Sequence, residues 1–208
     1  MYNGAKDQMK KYGLEFVAAE EIARDATDAS VQVLKIKEKK PDAVLLILYP
    51  RIGPIFLRQA FQLGLRSNLF GATGMVSHLP RLRQTAGDDA LGNFYYVMGL
   101  CDILSGPGLA PAVEKLRSAF PERAKDPDFP NVYAFYGMGS GTVFVEGLRR
   151  AGQDLTREKL ISALEAMKDF DTKILSSRVT YGPMDRVTNE RGIVIKFTGP
   201  AEEVVYKP

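Results

Sequence analysis

The stretch Ala43-Val44-Leu45-Leu46-Ile47-Leu48-Tyr49 decides the fold of this chain. Polar residues do not alternate with the apolar ones anywhere in it. Such a run is typical of a strand that is covered on both faces, because the helices of a parallel sheet lie on both sides of it. We therefore expect a buried strand at residues 43–49.

Helix and strand patterns alternate around this run. Before it, Asp28 or Ser30 is a candidate N-cap of a helix. After it, Ile55–Leu65 has helical periodicity, and Asn68–Phe70 is a further strand. Glu15–Ala18 predicts a short strand near the start of the chain. Strands and helices at this interval predict βαβ units, a parallel sheet and an α/β fold.

The second half of the chain is richer in helices. Ser105–Gly108 is a flexible stretch suited to a crossing between lobes. Gly137–Gly141 lacks the Lys-Ser/Thr pair of a phosphate-binding P-loop, so we interpret it as a loop beside closely packed helices. The other expected elements are helices at Pro111–Phe120, Ser140–Ala151 and after Thr156, and short strands at Arg178–Tyr181, Ile193–Phe197 and Val204–Tyr206.

Composition narrows the classes of function. The 208-residue chain has a net charge of +3 with charges of alternating sign, which argues against a nucleic-acid-binding protein. Cys101 is the only cysteine, so an internal disulfide is excluded. No apolar run reaches the about 18 residues that a membrane span requires. The first residues do not form a signal peptide, so either the chain stays in the cytoplasm or its export signal lies outside this sequence.

The inventory for catalysis is poor. His78 is the only histidine, and neither a serine nucleophile elbow nor a cysteine partner accompanies it. Cys101 lies among apolar and small residues, as a buried structural thiol does. Metal-ligand spacing is absent from the sequence. We expect a protein that is not an enzyme and that uses no cofactor and no metal.

Two loops are candidates for a binding site. In open parallel sheets, ligands bind beyond the carboxyl ends of the strands. Tyr49–Pro54 follows the most strand-like run, and Gly71–Gly74 follows the strand that ends at Phe70. Both loops mix small residues with a few polar or aromatic side chains, which suits a pocket. Ordinary βα turns would have the same composition, and the residues alone leave the two interpretations open.

Several phrases, in this order, resemble one family. They are KKYGLEFVAAE (10–20), VLKIKEKKPDAVLLILYP (33–50), FLRQAFQLGL (56–65), LFGATG (69–74) and YAFYGMGSGTVFVEGLRRAGQDLTREKLISALEAMKDFDT (133–172). Together they are similar to the branched-chain-amino-acid solute-binding proteins of ABC importers, the leucine/isoleucine/valine-binding type. The resemblance covers nearly the whole chain.

The resemblance implies the type I periplasmic-binding fold, in which two Rossmann-like, three-layer αβα lobes trap a solute between them. Residues 1–97 would then belong to the second lobe without its first strand, residues 98–191 to the returning part of the first lobe, and residues 192–208 to a tail that crosses back. Members of the family are longer, so the chain resembles a carboxy-terminal portion with an incomplete two-lobed architecture. The implied location is periplasmic or otherwise extracytoplasmic, and the implied partners are a small solute and ABC permease subunits.

The resemblance also implies site residues. Tyr49 would stack or hydrogen-bond, Arg51 would clamp a carboxylate, and Thr73 with the Gly74 backbone would make polar contacts. Tyr136 is a further candidate on the first-lobe side. Amino-acid binders of the family place an acidic residue where Thr73 stands, and a buried ammonium without a counter-charge is costly. We therefore hypothesise a solute without an ammonium, such as a carboxylic acid or an amide.

Other functions compete with solute transport. A ligand-sensing regulatory domain of the same fold is the first, and a fragment that binds nothing because it holds half a site is another. A nucleotide-using enzyme is disfavoured, because the sequence has neither a Walker loop nor a strand-linked Gly-x-Gly-x-x-Gly. A lobe without its central strands exposes strand edges and apolar surface, so we also expect self-association.

Overall fold

The computed structural model describes residues 2–187 and 191–208 as a mixed α/β protein. Its α-helices are α1 (Tyr2–Lys11), α2 (Ser30–Glu38), α3 (Ile52–Gln62), α4 (Leu79–Ala86), α5 (Asp88–Leu91), α6 (Ala110–Ala119), α7 (Val132–Ala151) and α8 (Arg157–Glu165). Its strands are β1 (Ala43–Leu46), β2 (Asn68–Ala72), β3 (Phe94–Met98), β4 (Ile193–Thr198) and β5 (Ala201–Tyr206). Thr73–Val76 and Arg123–Lys125 form short 3-10 turns.

The chain divides into two compact units. The first unit consists of Met1–Val97 and Lys196–Glu203, and the second of Met98–Ile195 and Val204–Pro208. The chain therefore leaves the first unit at the last residue of β3, returns to it within β4 and leaves it again within β5. The assignment of residues 1–97, 98–191 and 192–208 to lobes of a two-lobed protein stays a prediction.

The five strands form one sheet in the order β1-β2-β3-β4-β5. β1 and β2 are parallel with Leu46 beside Gly71, and β2 and β3 are parallel with Gly71 beside Tyr96. β4 and β5 are separated only by Gly199 and Pro200, and so short a connection joins antiparallel strands. The α/β fold with a mainly parallel sheet, which the alternating patterns indicated, is confirmed.

One face of the sheet carries the core of the first unit. Phe94, Tyr96 and Phe197 are fully buried there, and the Phe94 and Phe197 rings stack with their centroids 5.7 Å apart. The Tyr96 hydroxyl donates a hydrogen bond to Glu202 on β5. Burial, and then the Glu202 carboxylate, raise the pKa of Tyr96. The phenol therefore stays protonated and keeps donating, which ties β3 to β5.

The opposite face of β1 is partly exposed, which contradicts the expectation that this strand is covered on both sides. Val44 and Leu46 are buried, but Leu45 is 47% exposed and Ile47 is 37% exposed. The all-apolar sequence of β1 thus predicts a strand that is buried on both faces. In the structure, the described residues cover only one of them.

The expected strand at Glu15–Ala18 is also wrong, because those residues form no strand in the structure. Strands exist only as members of a ladder, and the described residues provide no ladder partner for this segment. The sequence instead missed β3. Phe94-Tyr95-Tyr96-Val97-Met98 is a run of good strand formers after Gly92-Asn93, which is the signal that would have located it.

Helix α7 begins eight residues earlier than the expected start at Ser140. Asn131 caps it, because the side-chain oxygen of Asn131 accepts hydrogen bonds from the backbone N–H groups of Tyr133 and Ala134. The loop interpretation of Gly137–Gly141 is therefore wrong, since the whole stretch is helical. Close packing is confirmed at Gly139, where an added Cβ would lie 3.0 Å from the Leu175 side chain.

Other expectations for the second half have mixed outcomes. The helix after Thr156 is confirmed, and Thr156 Oγ1 accepts a hydrogen bond of 3.2 Å from the Lys159 N–H. The helix near Pro111–Phe120 and the strands near Ile193–Phe197 and Val204–Tyr206 are present. Arg178–Tyr181 is not a strand, because only an isolated bridge between Phe170 and Val179 forms there.

The sheet generates a prediction about Gly71. A Cβ added at Gly71 would lie 2.6 Å from the Phe94 ring, so Gly71→Ala should lower the free energy of unfolding by about 1 to 3 kcal/mol through overpacking. Gly74→Ala is the matched control: an added Cβ there meets nothing within 4 Å, so the change should stay within about 0.5 kcal/mol. Urea unfolding of the three proteins measures both values, and equal effects at the two positions would contradict the packing described for Gly71.

Candidate functional site

The carboxyl ends of β1, β2 and β3 lie at one edge of the sheet, because the three strands are parallel and adjacent. Tyr49 and Arg51 follow β1, and Thr73 and Gly74 follow β2 directly. The fold of the first unit thus brings four of the five predicted site residues to a common edge. This is the position at which α/β sheets bind ligands.

Tyr49 presents an aromatic ring at this edge and is 52% exposed. The guanidinium of Arg24 lies over the ring, with its carbon 4.5 Å from the centroid. This cation–π contact holds a positive charge against one face of the ring. Sequence reasoning missed Arg24, because it lies in an irregular segment before α2 where no periodicity marks it.

Arg51 is exposed and stands immediately before α3. The first turn of the helix is closed by Gly53, whose N–H donates to the Tyr49 carbonyl over 2.9 Å. In the part of the chain that the structure describes, neither Arg51 nor Arg24 takes part in an ion pair. The Arg51 guanidinium stands just before α3 and the Arg24 guanidinium lies over the Tyr49 ring, and both positive charges favour an anion near the end of β1.

Thr73 joins the second loop to β3. Its hydroxyl donates a hydrogen bond of 2.6 Å to the carbonyl oxygen of Val97, which fixes the 3-10 turn against the next strand. The proton of the hydroxyl is therefore committed to the protein, whereas the lone pairs of Oγ1 remain able to accept. Thr73 is thus suited to receive an N–H group from a ligand and is not suited to donate to a carboxylate.

The small residues of the two loops have different roles. Gly53 and Gly71 are required by packing, since an added Cβ would lie 2.7 Å from Met75 or 2.6 Å from Phe94. Gly74 has open space where its Cβ would be. The compositional argument for a ligand therefore applies to Gly74 alone, because the other two glycines accommodate the protein's own side chains.

Tyr136, the fifth predicted residue, belongs to the second unit and lies on α7. It is half-buried, and its hydroxyl oxygen accepts a hydrogen bond of 2.9 Å from the backbone N–H of Gly99. The structure therefore gives Tyr136 a contact within its own unit, and its hydroxyl proton remains available for a further acceptor.

A pocket of about 260 Å³ lies in the second unit, between α7 and α8. Its lining consists of Ser140, Val143, Phe144, Ile161, Leu164, Glu165, Tyr181 and Arg186. Arg186 pairs with Glu165, with Arg186 Nε 3.0 Å from Glu165 Oε1, and burial raises the pKa of Tyr181. None of the five predicted site residues lines this pocket. The sequence predicted the helix after Thr156 but gave no sign of a cavity beside it.

Other chemically active groups do not assemble into a site. Among residues 2–187 and 191–208, no cluster of three His, Cys, Asp or Glu side chains is placed to hold a metal. Cys101 is half-buried, and burial raises the pKa of its thiol, which keeps it protonated at neutral pH. His78 is half-buried at the start of α4.

No helix in the described ranges is long and apolar enough to cross a membrane.

Comparison with protein families gives one match. The family model described as periplasmic binding protein matches residues 1–197. A comparison with curated proteins finds no match.

Solved structures share the fold. A branched-chain amino acid ABC transporter protein from Thermus thermophilus, with bound valine, has a TM-score of 0.80 and 21% identity over 98% of this chain and 55% of its own. An extracellular ligand-binding receptor from Rhodopseudomonas palustris has a TM-score of 0.75 and 19% identity over 99% of this chain and 59% of its own. A type 1 periplasmic binding protein from Bordetella pertussis has a TM-score of 0.70 and 18% identity, over 97% and 56%.

This chain therefore spans between 55% and 59% of the length of these three structures. At identities of 18% to 21% these similarities establish the fold.

The contact of Tyr136 generates a second prediction. Tyr136→Phe removes the acceptor of the Gly99 N–H, so the free energy of unfolding should fall by about 1 kcal/mol. Tyr133→Phe on the same helix is the control, because Tyr133 is 56% exposed and its change should stay within about 0.5 kcal/mol. Urea unfolding measures both values. If Tyr136→Phe is as harmless as the control, the hydroxyl does not hold the chain at Gly99.

Proposed function

Since the chain belongs to the periplasmic binding protein family, a solute-binding and non-enzymatic class, we propose that it serves as the extracytoplasmic solute-binding component of an ABC importer. The proposed solute is an amino acid or a related small carboxylic acid or amide, and the proposed partners are permease subunits. One observation carries the proposal: Tyr49, Arg51, Thr73 and Gly74 lie at the edge where three parallel strands end.

In this proposal, the two loops form one wall of a cleft between lobes. The first unit takes the part of the second lobe, residues 98–191 return to the first lobe, and residues 192–208 cross back. Tyr136 would act from the first-lobe side. A solute that prefers the closed form shifts the equilibrium towards it, and the permease would recognise that form. Binding and release require no covalent step.

The charges at the edge favour a carboxylate over an ammonium. Arg24 and Arg51 supply two guanidinium groups, and the described residues offer no ion-paired carboxylate beside them. The Thr73 hydroxyl supplies an acceptor without a full charge. An ammonium that is buried against an uncharged acceptor would lose roughly several kcal/mol of solvation. A carboxylic acid or an amide therefore suits these residues better than a free amino acid.

Isothermal calorimetry tests the proposal with leucine, isocaproate (leucine without its ammonium group) and isocaproamide. We expect isocaproate to bind more tightly than leucine. Arg51→Ala should weaken isocaproate binding at least about tenfold, because a charge-assisted hydrogen bond is lost. Thr73→Asp should shift the preference towards leucine, since it adds a counter-charge for the ammonium.

Arg58→Ala is the matched control, because Arg58 is an exposed arginine further along α3. It should leave all affinities unchanged. Tight binding of leucine without any binding of the acid would contradict the preference for a carboxylate. If none of the three compounds binds, the chain behaves as a fragment with half a site. A sensor domain would bind a solute as well but would not stimulate ATP hydrolysis by a reconstituted importer.

A further inference from the structure

The chain passes from the first unit to the second between Val97 and Met98, where strand β3 ends. The other two passages lie inside strands, after Ile195 in β4 and after Glu203 in β5. Residues inside a strand keep the torsions of the ladder, whereas residues at the end of an element absorb the torsional changes of a domain movement. The first passage is therefore the best placed of the three for a joint.

Thr73 anchors this passage on the side of the first unit. Strand β2 ends at Ala72, which lies beside Val97 in the parallel register. One residue later, the Thr73 hydroxyl donates a hydrogen bond of 2.6 Å to the Val97 carbonyl. The carbonyl is thus held within the first unit, and with it the plane of the peptide that links Val97 to Met98.

Tyr136 anchors the passage on the side of the second unit. The Gly99 N–H donates to the Tyr136 hydroxyl over 2.9 Å, and the Ser176 N–H donates to the Gly99 carbonyl over 3.0 Å. These three residues all belong to the second unit. The plane of the peptide that links Met98 to Gly99 is therefore held within that unit.

We propose that Met98 is the joint of this passage, with Thr73 and Tyr136 as the clamps on either side of it. Peptide units are planar, so a chain changes direction only through the torsions φ and ψ of each residue. One clamp holds the plane before Met98, and the other holds the plane after it. A change of direction between the two anchored planes must therefore use φ and ψ of Met98 or break a clamp.

The side chain of Met98 suits this position. It is fully buried, so it contributes to the core while the backbone turns. Methionine is unbranched and has three rotatable side-chain bonds, which lets it keep its contacts as its surroundings shift. A β-branched side chain is stiff at χ1 and would oppose the same change.

Ser105–Gly108 is not the joint, although its composition suggests flexibility. The segment lies inside the second unit. The carboxylate of Asp102 closes it, because its oxygens accept hydrogen bonds from the N–H groups of Ile103 and Gly108 over 2.9 and 2.8 Å. A Cβ added at Gly108 would lie 2.9 Å from Asp102 Oδ2, so the glycine makes room for the carboxylate.

A joint at Met98 supplies the moving part for closure around a solute, and in that respect it rests on the proposed function. Its clamps exist in the chain without a solute, so the test requires none. Failure to bind any solute would leave the joint standing, and a rigid Met98 would leave the solute site standing.

Nitrogen-15 relaxation dispersion on the full chain without solute tests the joint, because it detects motion on the microsecond-to-millisecond timescale of domain movements. Exchange should appear at the amides of Met98 and Gly99, and those of Ser105, Gly106 and Gly108 should be quiet. Met98→Ile should suppress the exchange through its stiff β-branched side chain. Met98→Leu is the matched control of similar volume and should retain it.

The clamps have their own variants. Thr73→Val removes the donor to the Val97 carbonyl, so exchange should spread to the Val97 amide, whereas Thr73→Ser keeps the hydroxyl and should behave as the wild type. Tyr136→Phe should accelerate hydrogen exchange of the Gly99 amide about fivefold, since it removes the acceptor of that N–H.

Four results would overturn the joint. They are an absence of exchange at Met98 and Gly99 in the wild type, exchange that concentrates on residues 105–108, equal exchange in Met98→Ile and Met98→Leu, and an unchanged Val97 amide in Thr73→Val. Thr73→Val and Thr73→Ser leave the core residue intact, so this pair decides the outcome even where Met98→Ile does not fold.

Discussion

The parallel ladder of β1, β2 and β3 is the constraint on which the rest of the first unit depends. Parallel pairing sends three strand ends to one edge, and Gly71 lets the Phe94 ring approach the middle strand. The bond from Thr73 to the Val97 carbonyl then fixes the loop after β2 to the end of β3. The candidate site is therefore a consequence of strand direction, and its side chains are attached to a framework that packing determines.

Strand β1 positions the first of the two loops, because its carboxyl end leads into Tyr49 and Arg51, which we assign to solute binding. The exposure of Leu45 and Ile47 shows that this strand is less covered than its sequence would indicate. An apolar composition therefore indicates that a strand can be buried on both faces. Whether it is buried depends on the other elements that pack against it.

Sequence reasoning succeeded where local patterns determine structure. The run at Ala43–Tyr49, the Thr156 cap and the alternation of helices and strands were sufficient for the fold class, and the order of phrases indicated the family. It failed where structure depends on distant partners. Glu15–Ala18 has strand-like composition but forms no ladder, and the close approach of Leu175 to Gly139 on α7 joins residues that are far apart in the sequence.

In the candidate site, too, the sequence predicted the residues that local patterns place and missed those that depend on distant contacts. The rule for strand ends located Tyr49 and Thr73 from the sequence alone, but Arg24 could not be found, because its contact with the Tyr49 ring arises only in the folded chain. The pocket between α7 and α8 was missed for the same reason, since its lining comes from separate parts of the chain.

The claim that the two loops form a solute-binding wall is tested most directly by mapping ligand contacts on the protein. Proton–nitrogen correlation spectra of the backbone amides, recorded during titration with isocaproate, report which residues sense the ligand. If the two loops form this wall, the largest shift changes should fall on Tyr49, Arg51 and Ile52 and on residues 73–75. Changes that concentrate around Val143 and Ile161, or no saturable changes at all, would contradict it.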